Sequence, residues 1–154
     1  MTARHASTDN RQGAGRTAAL TAALATALAL VAVVTLLPTG QGWAWGSPLT
    51  ELRWYASGLG SADTLVQLAG NLALLAVPAG LAVLRWPALG TPGRLLGAGL
   101  ATGSSIELLQ RLLPLGRVVS PLDALLNATG ALVAGLLTAR LTIGTTPRSV
   151  SREG

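Results

Sequence analysis

A chain of 154 residues in which half are hydrophobic and only 11% are charged, with a mean hydropathy of +0.53, has the composition of an integral membrane protein rather than a soluble domain. Its net charge of +5 comes from arginine alone, clustered at helix ends rather than on a basic face with stacking aromatics, which argues against nucleic acid as a partner. Without cysteine there are no disulfides, thiolate metal sites or cysteine nucleophiles, and with one histidine, His5 in a polar stretch, neither a metal centre nor a cofactor is expected.

Residues 1–16 are polar and arginine-bearing and read as a disordered cytoplasmic tail. Thr17 to Leu37 then runs 21 residues without a charge, enough to cross ~30 Å of hydrocarbon. That exceeds the ~7–15 apolar residues of a signal peptide, so an uncleaved first span is expected. Pro38 and the glycines after it close the span. The segment up to Asp63 carries Trp43, Trp45, Trp54 and Tyr55, aromatics suited to the headgroup level of a bilayer. Ser47-Pro48 is suited to start a short helix in the interface, with Glu51 and Arg53 on it.

Thr64 to Leu84 is the second span. Gln67, Asn71 and Pro78 fall near one of its faces, which should look into the bundle, and Pro78 should interrupt the hydrogen-bond ladder. Leu95 to Leu113 is the third, with Gly93, Gly97, Gly99 and Gly103 as two interleaved small-xxx-small pairs for close helix contact. Leu115 to Ser120 is a loop short enough to force an antiparallel neighbour. Pro121 to about Ile143 is the fourth span, and 144–154 a second disordered cytoplasmic tail. The fold class is therefore all-α, a polytopic antiparallel bundle of four transmembrane helices over 17–143. Eight arginines (Arg4, Arg11, Arg16, Arg85, Arg94, Arg140, Arg148, Arg152) fall on one side of it and three (Arg53, Arg111, Arg117) on the other. By the positive-inside rule both termini are cytoplasmic, in the cell membrane.

Within that topology the polar residues of separate spans share one leaflet. Glu107 stands out, because an ionisable group inside a span costs roughly 2.5–3.5 kcal/mol to insert and so marks a functional site by default. It lies six residues before Leu113, ~9 Å from the helix end. Ser104, Glu107, Gln110 and Arg111 follow helical spacing on the third span, and Asp123 and Asn127 on the fourth. Facing stripes of this kind build an outward polar pocket with Arg117 at its rim, and Arg111 or Arg117 is the natural counter-ion for Glu107 or Asp123. The ligand-binding candidates are Asn71, Ser104, Glu107, Gln110, Arg117, Asp123 and Asn127. Each has a structural alternative. Ser120-x-x-Asp123 fits a helix capping box with Pro121 at the first helical position, the asparagines suit interhelical hydrogen bonding, and Arg111 suits snorkelling.

The succession Asn71-Leu72 with Pro78 and Gly80, then Ser104-Ser105-Ile106-Glu107-Leu108-Leu109-Gln110, Gly116-Arg117, and Asp123 with Asn127-Ala128-Thr129-Gly130 resembles the VanZ-like family over roughly residues 20–140. The resemblance implies a small multi-helix membrane protein of the bacterial cell envelope, related to one that gives low-level teicoplanin resistance. Two departures stand out: the chain has no phenylalanine, and Ser120 stands where an acid is common. The expected partners are the lipid bilayer and a lipid headgroup or lipid-linked cell-wall precursor, with an influence on glycopeptide susceptibility. Two other readings remain open: an intramembrane enzyme with Glu107 as acid or base, and a purely structural membrane protein.

Overall fold

Inside hydrocarbon a backbone can satisfy its polar groups only as a helix or a closed barrel, and the apolar runs of this chain are all helical. The structure, a computed structural model, describes residues 2–144, with side chains over 12–142. Helix α1 is Thr2–Leu36, and its membrane-length segment is Gln12–Leu36, of mean hydropathy 2.3. The composition of 1–16 suggests a tail, yet the helix runs back through it to Thr2. No proline interrupts that stretch, and propagation from an existing helix costs far less than nucleation. The C-terminal tail, apart from Gly144, lies outside the described residues.

A short strand, β1 (Trp43–Trp45), follows, then α2 (Pro48–Gly58), with Pro48 in its first turn. The second span is split into α3 (Ala62–Leu74) and α4 (Ala76–Arg85). The break at Leu75 is the work of Pro78, which has no N–H to offer its i−4 partner and whose ring crowds that carbonyl, on Leu74. Together α3 and α4 form a second membrane-length segment, Ala62–Arg85, with mean hydropathy 1.7. After a single 3-10 turn, Pro87–Leu89, come α5 (Pro92–Leu112), strand β2 (Arg117–Val119) and α6 (Pro121–Gly144). The third membrane-length segment is Pro121–Thr142, with mean hydropathy 1.5.

Among the described residues three helical segments are thus long and apolar enough to cross a membrane. Helix α5 matches them in length, its 21 residues spanning roughly 31 Å at 1.5 Å each, but glycines, serines and Glu107, Gln110 and Arg111 dilute its hydropathy.

Helix α6 is the hub, packing on α5, α4, α3 and α2. Its pairing with α5 is antiparallel, as the short loop requires. A Cβ added at Gly99 would meet Ala128, one at Gly103 would meet Ala124, and one at Gly135 would strike Leu95. Of the four glycines expected at a close helix contact only Gly99 and Gly103 serve it; Gly93 and Gly97 face open space. A small apolar core of Val31, Leu75, Ile106 and Ala131 joins α1 to the break at Leu75, α5 and α6.

The two strands are absent from the all-α expectation. They pair in parallel, Trp43 with Arg117, Ala44 with Val118 and Trp45 with Val119, and further bonds zip the flanking chain: Thr39 N–H to Leu115 O at 2.8 Å, Gly116 N–H to Gly42 O at 2.8 Å and Gly46 N–H to Val119 O at 2.9 Å. Gly116 sits at φ 67°, and a Cβ there would collide with the backbone of Gly40. Only glycine meets both demands. The pair binds the two connections at one end of the bundle into a single lid-like ribbon.

Beside a small apolar core, polar side chains are deeply buried while many large apolar ones face outward. The most deeply buried large side chains are Asn127, Thr64 and Ser120, whereas Val66, Val77, Leu112 and Leu141 are each more than 60% exposed. A soluble fold does not leave so much apolar surface in water.

Candidate functional site

Buried polarity collects where α1 and α5 end and α2, α3 and α6 begin. Ser120 precedes α6, and its Oγ accepts the Asp123 N–H at 3.0 Å, the first half of the capping box read from the sequence. The second half is made by another residue. The Ser120 N–H donates to Glu107 Oε2 on α5 at 2.6 Å, and the Ser120 hydroxyl donates to Glu51 Oε2 on α2 at 2.6 Å. One serine therefore ties two carboxylates to the start of α6, where the helix dipole favours negative charge. Glu51 thus places a carboxylate beside position 120.

Asp123 turns to α2 and α3 instead. Asn71 Nδ2 donates to Asp123 Oδ1 at 2.6 Å, the Tyr55 hydroxyl donates to the same oxygen at 3.2 Å, and Asn71 Nδ2 also reaches the Tyr55 oxygen at 3.4 Å. Tyr55 is only 8% exposed. Its phenol is pushed up to about 12, first by burial and then by the charge of Asp123, so it stays a donor. This corrects the assignment of Tyr55 to an interfacial aromatic belt; Trp43, Trp45 and Trp54 do remain exposed.

The arginines are not the counter-ions of these acids. Arg117 Nη2 donates to Val34 O and Leu37 O, both at 2.9 Å, and its Nε to Leu37 O at 3.3 Å. Gln110 Nε2 donates to Thr35 O at 2.9 Å. The last carbonyls of a helix have no intrahelical donor, and a cation is favoured beside them. Arg117 and Gln110 therefore cap α1, while Arg111 lies 5.4 Å over the Trp43 ring. The expected pairing of Arg111 or Arg117 with Glu107 or Asp123 is replaced because α1's free carbonyls claim the guanidinium and the acids find neutral donors.

A cavity of about 670 Å³ opens among these groups. Six of the seven residues singled out in the sequence line it: Asn71, Glu107, Gln110, Arg117, Asp123 and Asn127. Ser104 does not. Helix α5 buries Gly99, Gly103, Ile106, Glu107 and Gln110, and Ser104 falls outside that stripe, exposed. A family model described as VanZ/LLP1 matches residues 24–142, which contain the whole of this cavity.

The chain belongs to the VanZ/LLP1 family. None of the curated proteins and none of the solved structures compared with it matches. Two polar side chains on the cavity wall of this VanZ/LLP1 chain, Glu51 and Tyr55, both on α2, are not among the candidates read from the sequence. The available signal was Glu51 itself, a carboxylate in a chain with six acids in all, three residues after a helix-starting proline. Chemically the site of the VanZ/LLP1 chain is rich in acceptors. Asn127 is 2% exposed and its Oδ1 is without a hydrogen-bond partner among the described residues, an arrangement that is costly unless something else satisfies it.

Proposed function

We propose that this VanZ/LLP1 protein is a multi-pass protein of the bacterial cell membrane whose cavity opens to the extracytoplasmic side and receives the polar headgroup of a lipid or lipid-linked envelope precursor. The observation that carries the reading is where polarity lies: large apolar side chains clothe the outside while Glu107, Asn127 and Gln110 are buried on the wall of an open cavity. In this reading α5 is a fourth crossing, since it lies antiparallel along α6 from Leu95 beside Gly135 to Gly103 beside Ala124. Helix α2 rests at the interface, with Trp54, Leu49 and Leu52 exposed to the headgroup zone. The cavity lies at the end that holds Arg53, Arg111 and Arg117, the arginine-poor side, so the positive-inside rule turns it outward and leaves both termini cytoplasmic. Sequestering an envelope precursor there would alter susceptibility to a glycopeptide such as teicoplanin.

The test is Glu107→Gln and Asp123→Asn in a strain lacking the native copy, reading glycopeptide susceptibility beside protein abundance in the membrane. The expected result is changed susceptibility at unchanged abundance. Abundance falling in step would make both residues structural.

A second reading, acid or base chemistry by Glu107, is favoured by its one uncommitted oxygen: Oε2 is held by Ser120 and Oε1 has no hydrogen bond among the described residues. Glu107→Gln keeps shape and removes proton transfer. Full function in that variant would exclude both the enzymatic reading and a part for Glu107 in binding, whereas function lost with headgroup binding intact would support the enzymatic reading.

A further inference from the structure

Which headgroup a polar cavity takes depends on the donors and acceptors left after the protein has satisfied itself. Here the donors nearest the carboxylates are spent, although Gln67, Trp54 and the Asn127 amide nitrogen, also on the wall, keep theirs among the described residues. The Tyr55 hydroxyl and the Asn71 amide are given to Asp123, the Ser120 hydroxyl and N–H to Glu51 and Glu107, the Gln110 amide to Thr35 O, and two of the three Arg117 nitrogens to the end of α1. The acceptors are not. Among the described residues Glu51 Oε1, Glu107 Oε1 and Asp123 Oδ2 carry no hydrogen bond, and Asn127 Oδ1, almost fully buried on the cavity wall, has no partner. Three carboxylates face one guanidinium and one helix N-terminus, the latter equivalent to roughly half a charge. Among the described residues no three of them converge closely enough to hold a metal ion, so the surplus calls for a donor that is larger than a bare cation and fans out over several acceptors.

Resting on the reading that the cavity receives a headgroup, we propose that the group it takes is a protonated primary amine, as borne by an aminophospholipid or an aminosugar, with Asn127 Oδ1 and the free carboxylate oxygens as its acceptors. An ammonium offers three donors, no acceptor and a positive charge, the complement of the carboxylate oxygens that the wall leaves unsatisfied. A phosphate would bring acceptors to acceptors and charge to like charge.

The test is equilibrium binding to the purified full-length protein in micelles of a neutral detergent. The probes are glucosamine and N-acetylglucosamine, a short-chain phosphatidylethanolamine and its N-acetylated form, and a short-chain phosphatidylglycerol. Acetylation leaves the rest of each molecule unchanged and turns the charged ammonium into a neutral amide. The expected result is that at least one amine binds roughly tenfold more tightly than its acetylated partner, the sugar or the lipid arm naming the source. Asn127→Leu should abolish that difference while the thermal unfolding temperature of the unliganded protein stays level or rises, since the orphaned oxygen is gone. Equal binding of amine and acetylated forms, or tightest binding of phosphatidylglycerol, overturns the amine while leaving headgroup binding intact. Binding of no probe overturns both. A fall in unfolding temperature with Asn127→Leu would make Asn127 part of the packing and remove it from the proposal.

Discussion

At the scale of single residues, the site shows how competition for donors decides roles that residue type alone leaves open. Arg117 is a cation near two carboxylates in sequence and in space, yet it caps α1, because the helix's last carbonyls have no other donor. Arg117→Ala should therefore destabilise the protein by about 1 kcal/mol, read as a lower thermal unfolding temperature, and Arg117→Lys should recover part of it. An unchanged unfolding temperature would return Arg117 to the ligand. Tyr55 gives a sharper reading, since it is the chain's single tyrosine. Its phenol should ionise near pH 12 rather than at the ordinary 10, seen in the near-ultraviolet absorbance of the folded protein. The sign follows from linkage. The fold holds the proton that the unfolded chain releases from pH 10, so the contribution is fully present below 10 and is lost as pH rises from 10 to about 12. Tyr55→Phe should remove that loss.

At the scale of elements, the helices were legible in the sequence because apolar length, proline and glycine act locally, and the loops between them were not. Thr64 to Leu84 reads as one span with a kink, and the structure breaks it at Leu75, the turn that Pro78 governs. Six of the seven candidate residues line one cavity, since helical spacing fixes which side chains share a face. Ser104 shows the limit: its spacing from Glu107 is right, but the stripe that α5 buries is set by α6 and passes beside it. The β1–β2 pair was invisible because its three-residue strands lie 74 residues apart, Trp43 opposite Arg117, with no local signal for the pairing. Glu51 and Tyr55 were passed over for a related reason, since their partners Ser120 and Asp123 come from the far end of the chain. Close approach is the element-scale constraint open to test. A Cβ at Gly130 would run into the Leu72 carbonyl of α3, whereas one at Gly97 meets nothing. Gly130→Ala should cost about 1–3 kcal/mol and Gly97→Ala nothing, as measured by unfolding in detergent.

At the scale of the whole molecule, one solvent problem explains the arrangement. In a bilayer the outside must be apolar, so polar groups are stable only where helices shelter them from lipid, and the bundle gathers them at a single end. A chain without cysteine allows that claim to be tested directly, with single cysteines and a thiol reagent that does not cross membranes, applied to intact cells. Gln67 lines the cavity and is exposed within it, Ala88 lies in the turn at the opposite end, and Val133 faces outward from α6. Labelling is expected of Gln67→Cys from outside, of Ala88→Cys only after permeabilisation, and of Val133→Cys under neither condition. Labelling of Gln67→Cys only after permeabilisation, or not at all, would contradict an outward-facing polar cavity.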